Sequence, residues 1–374
     1  MNRFLENQVQ SDCCGCSACV EVCPENCLTI GKNDDGIIVP IISNKDACID
    51  CGLCSEVCPV ENKITANNSN KYYSAYSDIP EDINFSASGG IFPALARWAI
   101  EQGGVVYGAY LDGKHDLYHT KITEAKDIKK LQNSKYFQSE IRTAYKTCQA
   151  DLQEGRLVLF TGTPCQVQGL KLFLKKDYEN LLTADLICHG VPSKKMFDAY
   201  VAFLEKRHGG KLVDINFRDK ERNGWSTTLR YTMEYQDGKR EDYHLISQLS
   251  EYFTAFLRGF IARESCYTCQ FASMNRPGDI TLGDFWGYQK KRPDLRHDQG
   301  LSLIISNSTK GDKVIHKLRN HGVCLTEVNE ECVKVSGNRN LYFPLQRPEI
   351  RDCVYAELEQ FGFEYIARMY FRKT

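Results

Sequence analysis

The 374-residue chain contains no long apolar run, and nothing in it approaches the ~18 uninterrupted apolar residues of a membrane-spanning helix. It has no surplus of either charge, with 47 basic against 48 acidic side chains. The basic excess that marks a nucleic-acid binder is therefore missing. Its first stretch, MNRFLENQVQSDCC, has no apolar segment of the signal-peptide kind. The expectation is a cytoplasmic protein without a membrane span or a nucleic-acid partner. The length suits two or three domains rather than one small core.

What the sequence has in excess is cysteine. There are 18, and ten of them fall between residues 13 and 58. In a small exported chain such density indicates disulfides, but with no export signal a local pile-up in a chain of this size points to metal.

The pile-up is a repeat. Cys13-x2-Cys16-x2-Cys19-x3-Cys23-Pro24 recurs as Cys48-x2-Cys51-x2-Cys54-x3-Cys58-Pro59, offset by 35 at every position. In such a run three thiolates wrap one 4Fe-4S cubane and the fourth cysteine reaches the other cluster. The expected ligands are Cys13, Cys16, Cys19 and Cys58 for cluster one, and Cys48, Cys51, Cys54 and Cys23 for cluster two. Zinc uses C-x2-C pairs but has no reason to repeat a four-cysteine run ending in proline. Gly15 and Gly52 let the backbone pass close to the sulfurs and offer them N–H donors. Cys14 and Cys27 fall outside the pattern and read as packed or peripheral thiols. Residues 1–62 thus read as a bacterial-type two-cluster ferredoxin domain, with CLTI and GIIVPII as strands about the turn Asn33–Gly36.

A polar stretch, residues 63–71, reads as a linker. Beyond it helices and strands alternate. Ile91, Ala94, Leu95, Trp98 and Ala99 recur at helical spacing and VVYGAYL follows as a strand. RLVLF (156–160) is a strand, TGTPC a turn and QVQGLKLFLKK a helix. LLTADLIC (181–188) is the next strand, and SKKMFDAYVAFLEKRHGG a helix. This pattern implies parallel βαβ units. From about 212 to 246 the pattern is β-rich, with a hairpin at Asp237-Gly238. The expected fold is mixed, α+β with α/β character: the ferredoxin domain, then a larger mixed α/β domain (72–150 and 151–345) and a C-terminal helix (346–374).

Cys165 and Cys188 each follow a strand and are 23 residues apart, about one crossover. Both thiols should emerge at the carboxyl edge of the sheet, where open α/β folds place their sites. With Cys266-x2-Cys269 they make four, enough for a third cluster, although a C-x2-C pair also suits zinc or a redox dithiol. Ser86-Ala87-Ser88-Gly89-Gly90, just before a helix, suits either a phosphate or a plain N-cap.

Six motifs in order, FSASGGIF, NSKYFQS, LFTGTPCQVQGLK, DLICHGVPS, CYTC and DITLGDFWG, resemble the coenzyme F-420 hydrogenase/dehydrogenase beta-subunit family, bacterial type with a fused ferredoxin module. The resemblance runs from residue 1 to about 310. It implies FAD and a 4Fe-4S cluster in the core domain, making that domain flavin-binding. Carried over by motif, Cys165, Cys188, Cys266 and Cys269 become third-cluster ligands. Ser88, Gly89, Gly90, Ser134, Lys135, Tyr136 and Ser139 become FAD-contacting positions, with Thr161, Gly162 and Thr163 close to the same flavin. The family name implies a deazaflavin, coenzyme F-420, in some members; KLFLKK (171–176) is the one modest basic candidate for it, and a Lys-rich helix face is usually just solvated.

Flavin exchanges two electrons and each cluster one, so the combination joins one-electron donors to a two-electron reaction. The expected function is that of an iron-sulfur flavoprotein oxidoreductase passing electrons between the clusters and FAD to reduce or oxidise an organic substrate, with ferredoxin or a partner oxidoreductase subunit as redox partner. The alternative is an electron-transfer subunit of a larger complex without substrate chemistry of its own. Lys135 and His189 are candidates to supply a proton or hydrogen bond; a phosphate or surface contact for Lys135 and a bond within the C-H-G turn for His189 are the plainer readings. Phe285 and Trp286 suit a cofactor cover or core packing equally. Cys148, Cys324, Cys332 and Cys353 have no partner spacing and read as structural thiols.

Overall fold

The computed structural model describes residues 10–62, 70–334 and 337–372, so most of the expected linker lies outside them. The two cysteine runs adopt matching backbones. Gly15 (φ 67°) corresponds to Asp50 (φ 51°), and Ser17 (φ 64°) to Gly52 (φ 75°). Each run then enters a short helix, Ala18–Val22 or Leu53–Glu56. Left-handed residues in such loops turn N–H groups inward, which suits anionic sulfur; Gly15 N–H donates to Cys13 Sγ at 3.3 Å. Between the runs, β1 (Leu28–Lys32) and β2 (Ile38–Ile42) form the expected antiparallel hairpin. Asn33 Oδ1 closes its turn by accepting from Ile37 N at 2.9 Å.

The remaining strands build two sheets. In chain order they are β3 (Lys71–Ser77), β4 (Val105–Leu111), β5 (Leu117–Ile122), β6 (Val158–Gly162), β7 (Leu181–Leu186), β8 (Lys211–Asp219), β9 (Thr228–Glu234), β10 (Arg240–Ile246), β11 (Ile280–Asp284), β12 (Ser302–Ser306) and β13 (Val323–Val328). The larger sheet has the order β13-β3-β12-β11-β7-β6-β4-β5. Its centre, β11-β7-β6-β4, is parallel, and antiparallel strands flank it on both sides. All five residues of β6 are buried, as a strand covered on both faces requires. On one face Leu159 and Leu182 meet Ala94, Leu95 and Trp98 of helix Ile91–Glu101. On the other, Val158, Phe160 and Leu181 meet Val167, Leu170 and Phe173 of helix Pro164–Leu174. The smaller sheet, β10-β9-β8, packs with helices Lys194–His208, Glu251–Leu257 and Arg351–Ile366.

β6 continues two residues past RLVLF, because Thr161 and Gly162 pair with Ala184 and Asp185. The Thr161 hydroxyl is satisfied by donating to Tyr107 O at 2.9 Å. The C-terminal helix is broken at Gly362 (φ 78°, ψ 175°). No described helix is long and apolar enough to cross a membrane.

The cysteine-run domain packs directly on the large one. Cys16, Ala18 and Val57 share an apolar core with Tyr145, Val167 and Leu170. Polar ties surround that core: Arg351 to Asp35 at 2.7 Å, Lys175 to Glu56 at 2.9 Å, and Lys146 N to Glu21 Oε2 at 3.1 Å. Gln270 also donates to Pro59 O.

Candidate metal centres and candidate flavin positions

Within the first run, Cys19 lies beside Cys13, Cys58 and Cys54, and burial followed by those neighbours pushes its thiol well up. Cys16 is buried beside Cys19 and Cys58. The structure thus gathers Cys13, Cys16, Cys19 and Cys58, including the long-range member Cys58. On the second run Cys51 is exposed, and Ile49 beside it is 63 % exposed.

Cys165, Cys188, Cys266 and Cys269 line one cavity of about 380 Å³. Parallel pairing of β6 with β7 brings the first two there. Thr163 caps the helix that follows β6, in a reciprocal capping box with Gln166, and Pro164 occupies its first turn. Cys165 therefore sits in the first turn at the sheet's carboxyl edge, with Thr163 Oγ1 3.2 Å from its Sγ. Cys188 follows β7 by two residues. Cys266 and Cys269 come from the tight turn after helix Glu251–Leu257.

Arg276 holds these loops together from below. It is fully buried and pairs with buried Asp185 at 2.7 Å. It also donates to Leu186 O at 2.6 Å and Phe271 O at 2.7 Å, each two residues from a lining cysteine. Burial, together with neighbouring cysteines, pushes the Cys188 thiol up to about 12 and that of Cys269 to about 11. Four half-buried thiols that oppose one another's ionisation need a cationic centre to become ligands. Among the described residues no three cysteine sulfurs lie within 4.8 Å of one another. A tetrahedral zinc with Zn–S of about 2.3 Å would hold its sulfurs about 3.8 Å apart. The spread and the cavity suit a cluster better than a single ion.

The cavity has a fifth cysteine, Cys14, contributed by the first cysteine run. Its thiol lies beside both Cys16 and Cys165. His189 also lines the cavity, but both ring nitrogens are engaged, Nδ1 with Asn340 Oδ1 at 3.3 Å and Nε2 with Leu257 O at 3.1 Å.

The positions carried over for flavin fall into two groups. Ser88–Gly90 and Tyr136 are drawn together by Arg218, which donates to Ala87 O at 2.9 Å and Tyr136 Oη at 3.3 Å. Arg218 is itself anchored on Asp284 at 2.7 Å. Lys220 Nζ donates to Ser88 O at 2.6 Å and Ile83 O at 2.8 Å. Burial, then Arg218, pushes its ammonium down to about 7. Trp225 stacks on Trp286 with ring centroids 4.1 Å apart beside this cluster, whereas Phe285 is core. Gly89 is tightly packed: its N–H donates to Ser302 Oγ at 2.9 Å, and a Cβ there would lie 2.5 Å from Ala75 O.

The second group is occupied with the protein itself. Lys135 Nζ donates to the carbonyls of Ala109 (3.0 Å), Leu131 (3.0 Å) and Gln132 (2.6 Å). Burial pushes it down to about 7, but three acceptors for three ammonium protons favour the charged form. Ser134 N donates to Asn133 Oδ1, and Ser139 Oγ meets His119 Nδ1 at 2.9 Å. Gly162 lies at the end of β6 against Gln166 and His119. Sequence reasoning missed Arg218, Lys220, Asp284 and Arg276. Two basic residues two apart at the end of a β-strand were the only signal for the first pair. Cys324 donates to Asp78 at 3.1 Å, Cys148 and Cys332 are buried, and Cys353 is exposed.

Two comparisons bear on these sites. Residues 12–62 match the family described as 4Fe-4S dicluster domain. Residues 155–331 match the family described as the C terminus of the coenzyme F420 hydrogenase/dehydrogenase beta subunit. The paired cysteine runs on a mixed α/β domain define an iron-sulfur electron-transfer protein of the oxidoreductase class. Over residues 155–331 the chain is thus similar to the coenzyme F420 hydrogenase/dehydrogenase beta-subunit family. Among solved structures, a chain of the F420-reducing [NiFe] hydrogenase complex from Methanosarcina barkeri is similar at 16% identity, covering 80% of this chain and 95% of that one with a TM-score of 0.47. No curated protein matches.

Proposed function

We propose that the chain is an iron-sulfur flavoprotein oxidoreductase, with a third 4Fe-4S cluster on Cys165, Cys188, Cys266 and Cys269 and FAD at the cluster of residues around Ser88 and Lys220. The observation that carries this reading is the convergence of four distant cysteines on one cavity that also receives Cys14 of the dicluster domain. The flavin, when bound, exchanges two electrons with an organic substrate, and the clusters carry electrons singly.

The residues divide the work. Arg276 and the Thr163 capping box hold the ligand loops at one edge of the sheet. Arg218 and Lys220 bring positive charge to the Ser88 loop. Arg218 is neutralised by Asp284, whereas Lys220 pairs with no carboxylate among the described residues. A buried lysine whose charge is opposed by burial and by Arg218 suits a diphosphate, whose negative charge would restore it. Asp284 also accepts from Trp225 Nε1 at 2.8 Å, which fixes the Trp225–Trp286 stack that would offer an aromatic surface to a flavin ring. Exposed Cys51 and Ile49 put the second cluster where a redox partner protein can reach it.

Anaerobically purified protein should carry about twelve iron atoms per chain, against about eight if only the dicluster domain is loaded. Cys165→Ser should lose about four; an unchanged iron count refutes the third site. Denaturation should release FAD, and Lys220→Met should retain less of it. Protein that assembles its clusters but never retains FAD removes the flavin part of the reading. Steady turnover of a small molecule with reduced ferredoxin separates a self-sufficient reductase from a subunit active only with a partner.

A further inference from the structure

Arg263 is 1 % exposed and precedes the Cys266–Cys269 turn. Nε donates to Cys13 O at 2.5 Å and Nη1 to Gln138 Oε1 at 2.7 Å. Nη2 is buried without a hydrogen-bond partner, and the guanidinium pairs with no carboxylate among the described residues. Arginine stays protonated, and a buried charge with no counter-charge is costly. Its counter-charge must come from something other than the side chains around it.

Its surroundings say where that charge lies. Cys13 O accepts from Arg263 and also from Ser265 Oγ at 2.9 Å, and Ser265 is bonded to Cys266. Cys14, next to Cys13, has its thiol beside those of Cys16 and Cys165. Gln138 locks the loop by donating to Cys14 O at 3.3 Å and Gly15 O at 3.2 Å. Gly15 has to be glycine here, since a Cβ would lie 2.4 Å from Arg263 Nη1. Two short routes therefore join ligands of the first dicluster site to those of the third, one through Ser265 and one through Cys14. Arg263 stands at their junction.

We propose that Arg263 is a tuning residue between the first and third clusters: its uncompensated buried charge favours the reduced third cluster and draws electrons from the dicluster domain into the large domain. The inference rests on the third-cluster reading above. Each one-electron reduction adds a negative charge, and nearby charge and hydrogen bonds set a cluster's potential. The Cys14 thiol and Ser265 hydroxyl keep the contact between the two sites short.

The test is an anaerobic redox titration of the full chain by electron paramagnetic resonance, taking the signal absent from Cys165→Ser as that of the third cluster. A wild-type count of about eight irons ends the third-cluster reading before any Arg263 variant is needed. With about twelve irons, Arg263→Gln should keep them and lower that cluster's reduced-to-oxidised ratio about ten-fold at fixed potential, equivalent to about 59 mV for a one-electron couple. Arg263→Lys, which keeps the charge, should stay near wild type. No shift in the Gln variant, an equal shift in the Lys variant, or a shift confined to the dicluster signals overturns the proposal. If Arg263→Gln does not assemble, Gln138→Glu gives the guanidinium a carboxylate and must shift the same signal in the same direction; no shift there overturns it too.

Discussion

Replacing Arg276 with methionine removes the cation beneath the cysteine cavity and keeps a side chain of similar reach. In the native chain Arg276 meets Asp185 through Nε at 3.1 Å and Nη2 at 2.7 Å, with both residues fully buried. Removing one partner of such a pair typically costs about 3–5 kcal/mol, because the other charge stays buried. Asp185 would still accept from Gly278 N and Thr281 Oγ1, each at 2.8 Å, which places the cost near the lower end, about 3 kcal/mol. The loss is local to the site, since Leu186 O and Phe271 O lose their donor as well. About 3 kcal/mol is roughly a hundred-fold in the opening equilibrium of those loops. Iron release to a chelator should become biphasic, with about four of about twelve atoms leaving some hundred-fold faster than in wild type and about eight unchanged. A variant that keeps every iron and releases it at the wild-type rate would refute the claim that this buried pair positions the third site.

Burial holds the His119 imidazole at about 4, between Ser139 and Thr161 O, while in an unfolded chain it titrates near 6.5. The unfolded state therefore takes up the proton first, so this stability is complete above about pH 6.5 and is lost as pH falls toward 4, by up to about 3 kcal/mol. His119→Gln, which does not titrate, should flatten the fall in urea midpoint between about pH 7 and pH 5; parallel slopes would exclude His119 as the cause. Gly89→Ala places a Cβ 2.5 Å from Ala75 O and should cost about 1–3 kcal/mol. Gly113→Ala meets nothing within 4 Å and should stay within about 0.5 kcal/mol, so equal urea midpoints for the two variants would contradict the packing account.

The two cysteine runs were legible because their chemistry is local. Spacings of three and four residues set where three thiolates of a cubane can stand, whatever the rest of the chain does. The alternation around β6 and β7 was legible for a similar reason, as short apolar strands and amphipathic helices carry their periodicity with them. Even so, β6 extended through Thr161 and Gly162, because pairing with β7 satisfied a backbone that the sequence read as a turn.

The residues that organise the larger site carry no such local mark. Arg276, Arg218 and Arg263 are three arginines among many until burial removes their solvent and leaves only particular partners, Asp185 for the first, Asp284 for the second and, among the described residues, no carboxylate for the third. Cys14 looked like a spare thiol, and its place between Cys16 and Cys165 exists only because the dicluster domain docks against helix Pro164–Leu174. Sequence by itself determined that this protein carries 4Fe-4S clusters and a mixed α/β domain, since both follow from short-range spacing and periodicity. Tertiary structure alone decided which distant thiols and buried charges meet, because contacts across a hundred residues or more depend on sheet order and domain docking, which local spacing does not encode.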